Sequence, residues 1–124
     1  MSATDWVAHG WDIEDTINTA KKLAEIGIDL IDVSSGGNVA NLKIPESPGF
    51  QVPFSTAIKE EIPIMTAAVG VITDPKQADT IIENQKADIV ALGRELLRNP
   101  YWVYQASKQL KADTPWPNQY LRAK

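Results

Sequence analysis

The chain has 124 residues, 44% of them hydrophobic, and a formal net charge of -4, which fits one folded domain over residues 1–124 and excludes a disordered or fibrous chain. No apolar run approaches the roughly 18 to 20 residues of a membrane span, and the N-terminus lacks a secretory pattern, so a soluble, unexported, cytoplasmic protein is expected. The absence of cysteine excludes disulfides, thiolate metal sites and thiol nucleophiles, and an acidic balance with no basic cluster beyond Lys21-Lys22 argues against a nucleic-acid surface.

Residues 13–26, IEDTINTAKKLAEI, place Ile13, Ile17, Ala20, Leu23 and Ala24 at helical spacing, with acids early and Lys21-Lys22 later, as the helix dipole prefers. Gly27 supplies the stop. IDLIDVSSGG then reads as a strand over Asp29–Val33 that runs into a small polar turn, Ser34-Ser35-Gly36-Gly37. Residues 38–52 contain Pro45, Pro48 and Gly49 and read as a long loop of the functional or mobile kind. A helix is expected from Pro53, and IPIMTAAVG follows as a second strand, Ile62–Val69, apolar on both faces and ending at Gly70.

Asp74 is a good N-cap and Pro75 suits a first helical turn, so a third helix should run to about Asn84. The third strand is Asp88–Leu92. A short helix from Arg94, a break at Pro100, a helix over Tyr101–Leu110 and a polar, proline-bearing tail complete the chain.

Strands that begin about 26 to 33 residues apart and alternate with helices have the spacing of parallel βα units. GIDLIDVSSG and KADIVALGRE also echo one another, as repeated units would. A full (β/α)₈ barrel of roughly 250 residues gives about 31 per unit, so about four parallel βα units fill this chain, with MSATDW as the stub of a first strand. The expected fold is therefore α/β, the C-terminal half of a (β/α)₈ TIM barrel; the rival is a small open α/β sheet.

In such barrels the loops after the last two strands commonly build a phosphate site. Gly70 and Gly93 would let backbone N–H groups approach an anion, and Arg94 adds a fork of donors at a helix start. The alternative is that the glycines only make tight turns and that Arg94 pairs with Glu95 or another acid. Ser34, Ser35 and Gly36 would line a ligand with hydroxyls and amides, or simply form a polar turn. His9 is the sole histidine, which gives little support to a metal site or a Ser-His-Asp triad. Asp29, Asp32 and Asp88 lack the paired placement of acid–base catalysis and are expected to cap or pair locally. Trp6, Trp11, Trp102 and Trp116 read as packing residues, since no basic groove accompanies them.

The ordered motifs LIDVSSGG, PGFQVPF, TAAVGVITDPKQAD, ADIVALGRELLRNPYW and NQYLR resemble the C-terminal half of the old yellow enzyme family, in its bacterial NADPH dehydrogenase (thermophilic-like ene-reductase) branch. The resemblance runs from about Ser2 to Arg122. It implies an FMN-bound barrel that takes hydride from NADPH and passes it to an activated alkene. It also implies that Gly93 and Arg94 hold the FMN phosphate, assisted by backbone near Val69-Gly70 and by the Ser34-Ser35-Gly36 turn. Phe50 stands where the family carries an aromatic that lines the loop.

Arg122 of NQYLR matches a tail arginine that reaches across a dimer interface into the neighbouring active site. The chain departs from the family there, with Leu121 in place of the usual acid and an Ala123-Lys124 end. The family's flavin-facing arginine precedes the stretch matched by Ser2-Ala3, and the residues near flavin N5 and the substrate-binding pair have no counterpart in this chain. The resemblance thus implies either a homo-oligomer or completion by an N-terminal half. A phosphate-ligand binding module without chemistry, or an inactive half-barrel that self-associates, is the alternative reading.

Overall fold

A computed structural model describes residues 1–44 and 46–124. Pro45, one basis for the expected long loop, lies outside the described residues.

The first helix, α1 (Ile13–Glu25), starts at a capping box that satisfies two otherwise orphaned groups of the helix end. The Asp12 side chain accepts from the N–H groups of Glu14 (2.9 Å) and Asp15 (3.1 Å), and the Asp15 carboxylate accepts from the Asp12 N–H (3.3 Å). The chain leaves α1 through Gly27 at φ +91°, a backbone conformation that favours glycine. Next come β1 (Leu30–Val33), α2 (Val52–Glu61), β2 (Met65–Ala68) and α3 (Pro75–Glu83), whose N-cap Asp74 accepts from the Gln77 N–H at 2.9 Å. The strand β3 (Ile89–Val90), the short α4 (Arg94–Arg98), α5 (Trp102–Leu110) and a 3-10 helix in the tail (Asn118–Ala123) follow.

The three strands form one parallel sheet in the order β1-β2-β3, with Leu30 opposite Met65, Val33 opposite Ala68 and Ala67 opposite Ile89. The N-terminal residues lie along the free edge of β1. The Ala3 N–H donates to the Ser34 carbonyl (2.8 Å) and the Ser34 N–H to the Met1 carbonyl (2.9 Å), forming a single parallel bridge between Ser2 and Ser34. The expected four units thus reduce to three strands and one bridge in the described residues.

Two of the strands are shorter than their apolar runs suggest. Ile62 caps α2 and Ile64 donates to the Ile62 carbonyl, so a turn occupies the start of the Ile62–Val69 run. At the third strand the regular ladder covers two residues, although Asp88 and Ala91 extend the contact by donating to Thr66 and Ala68 carbonyls at 2.9 and 2.8 Å.

The helices cover one face of the sheet. Ile31 and Val33 pack with Ala20 of α1 and Ile58 of α2, while Ala68 packs with Ala78 and Ile81 of α3, flanked by Val90 and Trp102. Burial of each larger aliphatic side chain contributes about 1.5 to 3 kcal/mol. On the opposite face Asp32, Met65 and Ile89 are exposed. The tryptophans do pack: Trp6 meets Phe54 edge-on (5.6 Å), Trp116 lies over Tyr104 (4.2 Å), and Trp102 donates its indole N–H to the Thr73 carbonyl (2.7 Å). Trp11 likewise donates to the Thr16 hydroxyl (2.5 Å). No helix among the described residues is long and apolar enough to cross a membrane.

Asp88 joins these layers. Its carboxylate pairs with the Lys59 ammonium of α2 and accepts the Thr66 N–H of β2 at 2.8 Å. The Lys59 hydrogen bond, and after it the Thr66 N–H, holds its carboxyl below the ordinary value of 3.8. The folded state therefore favours the carboxylate, a contribution fully present above the ordinary value and lost as pH falls through it towards the lower folded value. Asp88→Asn should lower stability by about 1 to 2 kcal/mol at neutral pH and by less at pH 3. Denaturant unfolding at the two pH values measures both effects, and an equal loss at both would rule out the charge as the cause.

Candidate functional site

A cavity of about 300 Å³ opens at the C-terminal ends of β2 and β3. One wall is Val69-Gly70-Val71-Ile72, the segment that leaves β2, and a second is Ala91, Gly93, Arg94 and Glu95, where β3 gives way to α4. Glu46, Phe50 and Gln51, from the loop before α2, close the third side. Parallel pairing puts the exits of neighbouring strands side by side, which is why two segments distant in sequence share one cavity.

The first wall has an unusual backbone. Gly70 has φ +126° and Val71 φ +49°, and a β-branched residue in that region costs on the order of 1 to 3 kcal/mol unless its surroundings hold it there. The holding groups are visible: the Gly49 N–H donates to the Gly70 carbonyl (2.8 Å), and the Gln51 side-chain amide donates to the Val69 carbonyl (3.3 Å). A Cβ on Gly70 would stand 3.0 Å from Gln51 Nε2 and 3.2 Å from Phe50 Cδ1. Gly93 differs, with φ -88° and nothing within 4 Å of a built Cβ. The space beside it is open.

Arg94 is the cation of this cavity. As the first residue of α4 its N–H lacks an acceptor within the helix, and its guanidinium Nη2 donates to Glu46 Oε2 at 3.2 Å. Glu95, the neighbouring acid, is instead held by Arg98 through contacts of 2.8 and 3.2 Å. The acid that pairs with Arg94 thus comes from the loop before α2. The Arg94 side chain is 73% exposed and that of Glu46 52%, so the pair is solvated and worth at most about 1 kcal/mol.

Four of the residues expected to bind a cofactor, Val69, Gly70, Gly93 and Arg94, line this cavity together. Ser34, Ser35 and Gly36 do not reach its lining. Ser34 is engaged with Met1 and Gly36 donates to the Thr4 carbonyl (3.2 Å), while the Ser35 hydroxyl donates to Gln51 Oε1 at 2.7 Å. Arg122 sits in the exposed tail helix, outside the lining. The tail packs instead against α5, where Tyr101, Tyr104, Lys108, Trp116 and Tyr120 line a separate, mainly aromatic cavity.

Gln51 and Glu46 are site residues that sequence reading misses, and Gln51 is the buried one. It is 6% exposed, and the only hint in the sequence is its position just before the proline-started helix. Chemically the cavity presents one guanidinium, that of Arg94, the carboxylates of Glu46 and Glu95, the backbone of the Gly70 and Gly93 turns and apolar walls.

The model of the NADH:flavin oxidoreductase / NADH oxidase family matches residues 1–113. This chain belongs to that family. It is 47% identical over 122 residues to an NADPH dehydrogenase of Geobacillus thermodenitrificans and 46% identical over 122 residues to one of Bacillus subtilis, in each case across 98% of this chain and 36% of the relative. The chain therefore spans about a third of the length of these curated relatives. Among solved structures, wild-type GGGPS from Thermoplasma volcanium superposes with a TM-score of 0.52 over 84% of this chain and 40% of that one, at 18% identity, a likeness of fold alone.

The two glycines should respond differently to the same substitution. Gly70→Ala forces a Cβ against Gln51 and Phe50 in a positive-φ backbone, and should lower stability by about 1 to 3 kcal/mol. Gly93→Ala should change it by less than about 1 kcal/mol. Denaturant midpoints of the two variants measure the contrast, and equal midpoints would contradict it.

Proposed function

We propose that this chain is the C-terminal portion of an FMN-dependent NADPH:ene oxidoreductase and that its cavity receives the FMN phosphate. The supporting observation is the meeting of Val69-Gly70 with Gly93-Arg94 in one cavity at the strand exits. Arg94 would pair with the phosphate and the backbone beside Gly70 and Gly93 would approach it closely, while Ser34, Ser35 and Gly36 support the rim from behind. A phosphomonoester fits these groups: it is an anion, small enough for about 300 Å³, and it can take over the guanidinium that Glu46 engages. FMN, when bound, supplies hydride chemistry between NADPH and an activated alkene, the reaction of the family this chain resembles. The role of this portion is to hold and orient the phosphate end.

In the same reading Arg122, which lies away from its own chain's cavity, acts in trans on a neighbouring copy. The uncovered sheet face supports an assembled state. Met65 is 49% and Ile89 47% exposed, and β3 presents a free edge of the kind that proteins normally pair or cover. We propose that this face is covered by an N-terminal half of the barrel or, when that is absent, by a second copy of the chain. Light scattering of the purified chain should show mass that rises with concentration; a monodisperse monomer would contradict the second-copy version.

The binding reading is tested by titrating FMN into the full chain and following flavin fluorescence. Arg94→Ala should weaken binding by about 1.5 to 3 kcal/mol, the scale of a charge-assisted hydrogen bond. Glu46→Gln, which releases the guanidinium, should tighten it by a factor of about two to five. Unchanged affinity in the Arg94 variant would remove the phosphate from this cavity.

A further inference from the structure

Gln51 belongs to one wall of the cavity, bonds to a second wall at Val69 and to the Ser35 turn behind it, and does so from a buried position. Its Oε1 accepts from the Ser35 hydroxyl at 2.7 Å, its Nε2 donates to the Val69 carbonyl at 3.3 Å, and its backbone precedes α2 as the N-cap residue. Ser35 follows β1 and Val69 follows β2. The amide therefore bridges the exits of adjacent strands across space that no backbone hydrogen bond among the described residues spans. Gly70 is shaped around it, since a Cβ there would fall 3.0 Å from Nε2 and 3.2 Å from Cγ.

We propose that Gln51 is a positioning residue: its side-chain amide locks the Ser35 turn to the Val69–Val71 turn and so holds the anion cavity in its binding shape before any ligand arrives. This rests on the reading of the cavity as a phosphomonoester site.

The chemistry of the residue explains the choice. An amide accepts and donates at once, and the two neighbours need opposite things: Ser35 presents a hydroxyl hydrogen and Val69 a carbonyl oxygen. Glutamate would turn an acceptor towards the Val69 carbonyl. Leucine would leave both neighbours without a partner. A part-buried acceptor that loses its partner is destabilised, so the amide also keeps its neighbours from turning elsewhere. The strain at Val71, φ +49°, gives this segment a reason to relax when released. Besides the Gly49 bond to the Gly70 carbonyl, the Gln51 amide is the group that holds it.

The clamp predicts that a change at Ser35 is felt at Gly70, and that the signal travels through one side chain. The experiment uses the full chain as wild type, Ser35→Ala, Gln51→Ala and the double variant, first without ligand. Backbone amide NMR shifts of Gly70 and Val71 should move in Ser35→Ala. In a Gln51→Ala background, the Ser35 substitution should leave them unmoved. A Gln51 that only fills space would not transmit a hydroxyl change, so shifts confined to residues 34–37 would overturn the proposal.

FMN titration of the same four proteins supplies the second readout. Each single variant should bind about five- to tenfold more weakly and the double no more weakly than the worse single, the non-additivity of two groups in one network. Losses that multiply in the double variant would also overturn the clamp. If no variant binds FMN, the phosphate reading fails, while the ligand-free shifts still decide whether Gln51 couples the two turns.

Discussion

The parallel, in-register pairing of β2 with β1 and β3 is the constraint on which the rest of the structure depends. It sends all three strands in one direction and delivers their exits to one end of the sheet. Each exit then carries the residues that a helix start or a tight turn requires, and those residues become neighbours without any direct sequence relation. The cavity is a by-product of this geometry: it forms because Gly70 leaves β2 beside the point where Gly93 and Arg94 leave β3. The Asp88 carboxylate, anchored to Lys59 and to the Thr66 N–H, fixes where β3 begins relative to β2 and so how far its exit reaches.

A second consequence concerns coverage. The register puts Ile31, Val33, Thr66, Ala68 and Val90 on the face under the helices and leaves Asp32, Met65 and Ile89 on the other. A parallel sheet normally has both of its faces covered. Here the outward set includes a methionine and an isoleucine on adjacent strands, each about half exposed. In a closed barrel the same positions would point inward and pack in layers.

Local chemistry made much of this legible. Asp74-Pro75 announces α3, Gly27 ends α1, and the spacing of the apolar runs gives parallel βα units before any coordinates are known. The glycine and arginine at the third strand's exit could be singled out because their residue types are informative in themselves. What the sequence hides are the relations across distance. Nothing local marks Glu46 as the partner of Arg94, 48 residues away, or Gln51 as the bridge between Ser35 and Val69. A buried amide is identified by its neighbours, and those come from the far ends of two other strands. Ile62 misleads for the opposite reason: an apolar residue that caps a helix looks the same as one that starts a strand.

The charges divide by burial, and the division tells fold from site. Lys59 and Asp88 are only 24% and 28% exposed, and removing either partner strands the other in a partly desolvated place, where an unpaired charge is costly. Such a pair cannot exchange partners without disturbing the sheet. Arg94 and Glu46 are 73% and 52% exposed, hold each other through a single nitrogen, and gain little from doing so. Arg94 therefore keeps donors that the Glu46 contact does not use, and in the proposed reading a dianionic phosphate would be the stronger acceptor. In the proposed phosphate reading, the Glu46 contact is a small threshold that a phosphomonoester would exceed through its second charge, and a preference for doubly charged groups would follow from a pair too weak to serve the fold.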